Sequence, residues 1–188
     1  MSDKKEFADI CYLLHEFCSD TKFGSFRSKL KKIGELELKG WEKWLQIEFS
    51  MFLHAHTDIV FDTGSREYCY ILDQRKANKC KAYADFSFRK KNSSKDLRIV
   101  LEFKANPRQT SCVQGMIADC EKIWSVRGSD DDMRSFWVVG FHKFDGKSAE
   151  ELKENALRLV NEKHEQEVRK SMLECMLIGR SGYALTVF

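Results

Sequence analysis

Apolar residues keep a helical spacing over the first third of the chain and an alternating one after it, which restricts the fold to a mixed helix-and-sheet architecture. Phe7, Ile10, Leu13, Leu14 and Phe17 predict a helix over residues 6–19, and Phe26, Leu30 and Ile33 a second, short one. Gly40 precedes a third, more apolar helix over 41–53. From there the period is two. Residues 68–72, 82–89 and 97–104 read as three strands, the last two joined by the polar turn 91–96, and Pro107 ends this meander. Residues 111–125 then place Val113, Met116, Ile117, Cys120 and Trp124 on one helical face. A buried strand over 134–141, a long helical segment over 148–178 and a final strand over 183–188 complete the order: helices, then β-β-β-α-β-α-β.

A chain of 188 residues with one proline and no Gly/Ser-rich stretch has the size of one domain and no visible linker. The expectation is a single domain over 1–188, with an N-terminal helical extension (1–39), a core (40–141) and a C-terminal helix and strand (142–188). Apolar residues make up 43% and charged residues 32%, far from the composition of a disordered chain. No apolar run approaches the ~20 residues that span a bilayer, and the opening residues lack the apolar segment of a secretory signal. A soluble, cytoplasmic protein with no membrane partner is expected. The seven cysteines are odd in number, scattered and without a C-x-x-C pair, so they read as reduced thiols with no assigned chemistry.

Charge is segregated. Residues 75–104 carry ten Lys/Arg against three acids, and residues 128–167 carry six against ten. Cations clustered in this way can follow a phosphate backbone, because displaced counterions supply most non-specific nucleic-acid affinity. The cluster includes Arg75, Lys76, Lys79, Lys81, Arg89, Lys90, Lys91 and Lys95, and Arg108 follows Pro107.

Four residues stand out where their neighbours are apolar. Glu48 falls on the apolar face of the third helix with Trp41, Trp44, Leu45, Met51 and Phe52, and Glu42 lies toward its flank as the second choice. Asp85 is flanked by Tyr83, Ala84, Phe86 and Phe88, and Glu102 directly follows Ile99, Val100 and Leu101. Alternate side chains of a strand share a face, so Glu102 and Lys104 project together with Phe103 between them.

With these residues in this order, the chain resembles the PD-(D/E)XK nuclease superfamily, the restriction-endonuclease-like fold. The matching residues are Ala84-Asp85 in one strand, Glu102-Phe103-Lys104 in the next, Glu48 or Glu42 in the preceding helix, and the helix 111–125 that follows. The likeness covers residues 40–141, and alanine stands where the pattern usually has proline before the aspartate. It implies an α/β (α+β) fold with a central mixed sheet flanked by helices. It also implies a metal-dependent nuclease that hydrolyses DNA phosphodiester bonds, with catalytic residues Glu48, Asp85, Glu102 and Lys104. Asp85, Glu102 and the carbonyl of Phe103 would hold Mg²⁺ or Mn²⁺, a hard cation suited to oxygen ligands. Lys104 would orient or help deprotonate water and offset charge. Lys79, Lys81, Arg89, Lys90, Arg108 and Gln114 would contact DNA. The alternative is a catalytically inactive module of the same fold that binds a protein or nucleic-acid partner, such as an inhibitor or immunity-type factor. A homodimer or a protein partner for targeting is compatible with either.

His54 and His56 have no evident third ligand, and no nucleophile elbow, P-loop or dinucleotide glycine motif occurs.

Overall fold

A computed structural model describes residues 3–19, 25–62, 66–70, 82–94, 98–124, 133–163 and 168–188. Helices α1 (Asp3–Cys18), α2 (Phe26–Glu35) and α3 (Glu42–Ala55) come first. They are followed by strands β1 (Ile59–Val60), β2 (Arg66–Tyr70), β3 (Ala82–Lys90) and β4 (Arg98–Ala105). Helix α4 (Gln109–Trp124) leads to β5 (Met133–Lys143), and α5 (Ala149–Lys163) leads through a short 3-10 turn to β6 (Glu174–Leu177) and β7 (Tyr183–Val187). The seven strands form one mixed sheet in the order β1-β3-β4-β5-β7-β6, with β2 also paired to β3. Among the described strands only β4 and β5 run parallel, and their crossover is α4.

The alternation along each strand sorts the helices into two layers. Phe86, Phe88, Ile99, Leu101, Phe103, Trp137, Val139, Phe141, Leu185 and Val187 share one core with α1–α3. Cys112, Val113, Met116, Val138, Leu152, Ala156, Val160 and Ala184 form the other, beneath α4 and α5. Phe49 anchors the first layer, with its ring centroid 5.0 Å from Phe17, 5.0 Å from Phe86 and 4.8 Å from Phe103.

Residues 174–177 depart from the long helix expected over 148–178. Leu173 and Cys175 are buried while Glu174 and Met176 are less so, an alternation that suits an edge strand. Gly179 and Gly182, with φ of 50° and 84°, turn it back into β7, where the Ile178 amide donates to the Tyr183 carbonyl at 2.9 Å. Helix α5 begins in a capping box: the Ser148 amide donates to Glu151 Oε2 at 2.7 Å and the Glu151 amide to Ser148 Oγ at 3.2 Å. No described helix is long and apolar enough to cross a membrane.

Candidate active site

Strand β3 parts from β4 just before Asp85. The two pair from Phe88↔Ile99 to Phe86↔Leu101 and no further, while the earlier half of β3 continues against β2. The edge of β4 facing the gap carries the amides of Phe103 and Ala105, which no longer have a strand to bond to. Unpaired buried amides are costly, and side chains satisfy these two. Asp85 Oδ2 accepts from the Phe103 amide at 2.8 Å, and Glu42 Oε2, from α3, accepts from the Ala105 amide at 2.8 Å. Gln46, one turn after Glu42, donates from Nε2 to Asp85 Oδ1 at 2.7 Å. The fork between β3 and β4 is thus filled with polar groups from three elements.

Glu102 and Lys104 project from β4 toward α4. Glu102 is 5% exposed. Lys104 lies across α4 at Gly115, where an added Cβ would stand 3.0 Å from Lys104 Cδ, and its Nζ reaches Asp119 Oδ2 one turn further on, at 2.8 Å. Burial opposes the charge on Lys104, but the hydrogen bond to Asp119 and the charges of Asp119, Glu42 and Glu102 outweigh it. Its pKa is held above the ordinary 10.5.

Of the two helix carboxylates, Glu42 is the one brought to this fork. Glu48 instead accepts from Trp44 Nε1 at 2.9 Å and pairs with Lys29 at 2.6 Å, facing α2. The buried face of α3 is centred on Leu45, Gln46, Phe49, Phe52 and Leu53, whereas Ile47 and Met51 are 48% and 55% exposed. Counting Met51 as core turned the apparent apolar face toward Glu48.

The expected DNA contacts divide. Lys79 and Lys81 lie outside the described residues, as do Arg75, Lys76 and Lys95. Arg89 and Lys90 are four and five residues past Asp85, about 13–17 Å along the strand. There Arg89 bonds the Ser93 carbonyl and Lys90 pairs with Asp9. Arg108 and Gln114 are exposed near the start of α4, at the end of β4 that carries Lys104. Residues that the pattern did not single out are Gln46 and Asp119. Gln46 had a signal, a polar side chain between Leu45 and Phe49, while nothing in the spacing marks Asp119.

No protein-family model matches this chain, and neither curated proteins nor solved structures give a match.

Among the described residues no three His, Cys, Asp or Glu side chains are gathered closely enough to hold a metal ion. The donors at the fork are nonetheless hard oxygens, and Gln46 Oε1, buried and without a hydrogen-bond partner, leaves one of them unsatisfied. In donor chemistry the set suits Mg²⁺ or Mn²⁺. Cys112 and Cys120, described on α4, are poor nucleophiles, since burial pushes their thiols up to about 12.

Proposed function

We propose that this chain is a metal-dependent nuclease of the PD-(D/E)XK kind that hydrolyses DNA phosphodiester bonds. The observation that carries the reading is the β3–β4 fork, where Asp85 caps the Phe103 amide between Glu102 and Lys104, and Glu42 caps the next outward amide. The order of a helix, antiparallel strands, a crossover helix and a parallel strand suits the same reading.

Asp85 and Glu102, with the Phe103 carbonyl, would hold the cation, which supplies charge neutralisation at the phosphate and activation of water. Main-chain and amide bonds fix Asp85 before any substrate arrives, so its orientation costs little at the moment of reaction. Lys104, raised above its ordinary pKa, acts as a fixed ammonium that offsets phosphate charge rather than as a base. Asp119 holds that ammonium in place, and Glu42 fixes the end of β4 on which it stands. Arg108 and Gln114, exposed nearby, suit contacts to the backbone of a nucleic acid.

One observation favours the second reading, a catalytically inactive module of this fold that binds a partner. Both oxygens of Asp85 already accept hydrogen bonds, and Lys104 is paired with Asp119. The two readings separate in one experiment. Purified protein is incubated with supercoiled, linear and single-stranded DNA and with an RNA in Mg²⁺ or Mn²⁺, beside Lys104→Ala and Asp85→Asn. Metal-dependent cleavage of DNA that both variants lose supports the nuclease. No cleavage of any substrate by the wild type overturns it in favour of the binding module.

A further inference from the structure

We propose that Gln46 is a cation ligand as well as a positioning residue of this site: Nε2 fixes Asp85, and Oε1 supplies a neutral oxygen to a bound Mg²⁺ or Mn²⁺. The proposal deepens the reading of the fork as a metal site and rests on it.

Gln46 is 2% exposed, on the buried face of α3. Burying an amide oxygen without a donor is unfavourable, and native side chains seldom leave one so. Among the described residues three buried side-chain atoms lack a hydrogen-bond partner: Glu6 Oε1, Arg66 Nε and Gln46 Oε1. Of these, Gln46 bonds directly to Asp85 in the fork, while Glu6 belongs to α1 and pairs with Arg134 and Arg66 belongs to β2. Its amide cannot be reversed to relieve the oxygen. An ionised Asp85 only accepts, so the nitrogen must face Asp85 Oδ1, 2.7 Å away, and Oε1 is left as the other arm of the same head group. What it lacks is an electron-pair acceptor.

Charge points the same way. Glu42 and Asp85 both accept from neighbouring amides of β4, so two carboxylates meet at the fork. Lys104 is held by Asp119 on the α4 side, whereas Gln46 and Glu42 approach from α3. A divalent cation beside Asp85 offsets the charge of these carboxylates and gives Oε1 its partner. Side-chain amide oxygens and carboxylates are the ligands such ions take.

The test is calorimetric titration of the full chain with MnCl₂, for the wild type, Gln46→Leu and Gln46→Glu, with thermal unfolding in chelator as the control for folding. The wild type should bind Mn²⁺, and Gln46→Leu should weaken that affinity at least tenfold. Gln46→Glu sets a second carboxylate against Asp85. It should melt lower than the wild type in chelator, recover in Mn²⁺ and bind the ion more tightly than the wild type does. Should the leucine variant fail to fold, this nearly isosteric glutamate variant decides alone. Unchanged Mn²⁺ affinity in both variants overturns the proposal, as does absence of binding by the wild type. DNA cleavage measured in parallel keeps the two claims apart. Cleavage together with affinity indifferent to residue 46 leaves the nuclease standing and removes Gln46, and Gln46-dependent binding without cleavage does the reverse.

Discussion

Gly140 lets α4 pack tightly on the sheet, and replacing it with alanine tests how the site is held. It pairs with Lys104 across β4 and β5, and it faces α4. An added Cβ would stand 2.3 Å from Met116 Sδ and 2.8 Å from Cys112 Sγ. Non-bonded heavy atoms prefer about 3.5–4.0 Å, so the overlap with Met116 exceeds about 1 Å and cannot be absorbed without moving that side chain or the helix. Overpacking of this kind costs about 1–3 kcal/mol. Alanine recovers about 0.5–1 kcal/mol by losing less backbone freedom in a strand. The net expectation is a loss of about 1–2 kcal/mol, or a melting temperature lower by roughly 2–8 °C for a domain of this size. Met116→Ala alone should cost about 2–5 kcal/mol through the cavity it leaves. In the double variant the new methyl occupies part of that cavity, so the combined loss should fall short of the sum by at least about 1 kcal/mol. Urea denaturation of the four proteins measures this cycle. An unaltered Gly140→Ala midpoint, or strict additivity, would refute the packing of α4 on β5 described above.

Other consequences are as direct. Asp119→Asn removes the partner of a half-buried lysine, so the Lys104 Nζ titration followed by NMR should move down, with a stability loss of about 1 kcal/mol or less. Phe49→Ala opens the centre of the first core, where Phe49 is fully buried, and should cost about 3–5 kcal/mol in chemical denaturation. His142 is buried, with its ring nitrogens 2.8 Å from Thr186 Oγ1 and 3.0 Å from the Lys143 carbonyl. Burial holds its pKa below the ordinary 6.5. The unfolded chain therefore takes up the proton first, and stability should fall as the pH drops below 6.5. Melting temperatures recorded between pH 7.5 and 5 should show a shallower decline in His142→Gln.

Long periodic segments were legible because one face of each is buried. Phe7 to Phe17 and Val113 to Cys120 repeat at helical spacing, and Phe86, Phe88, Ile99, Leu101 and Phe103 alternate, so α1, α4, β3 and β4 fall within a few residues of their expected bounds. What failed was local. Strand β6 has four residues and follows a helix, and the better guide to it was the Gly-Arg-Ser-Gly turn at 179–182, which needs two positive-φ positions. The start of α5, by contrast, fell within a residue of its expected bound, where Ser148 and Glu151 cap it. On α3 the wheel counted Met51 as core, but Met51 is exposed, and the buried polar position is Gln46. Asp119 was out of reach, because its partner Lys104 is fixed by how α4 lies over β4, which no spacing within either element records.

The fork also accounts for why the polar residues collect where they do. A strand that leaves its neighbour strips amides of their partners, and in a sheet covered on both faces water cannot easily replace them. Carboxylates from a neighbouring strand and helix are one solution, since each accepts from a main-chain donor while keeping its charge. Solving the hydrogen-bond problem at Phe103 and Ala105 in this way sets Asp85 and Glu42 beside β4, and the alternation of that strand adds Glu102 and Lys104 on the α4 side. Like charges brought together are unfavourable until a cation joins them. The same arrangement that closes the end of the β3–β4 ladder therefore creates a demand for positive charge, met on one side by Lys104. On the α3 side Gln46 meets it in part, its Nε2 donating to Asp85 Oδ1.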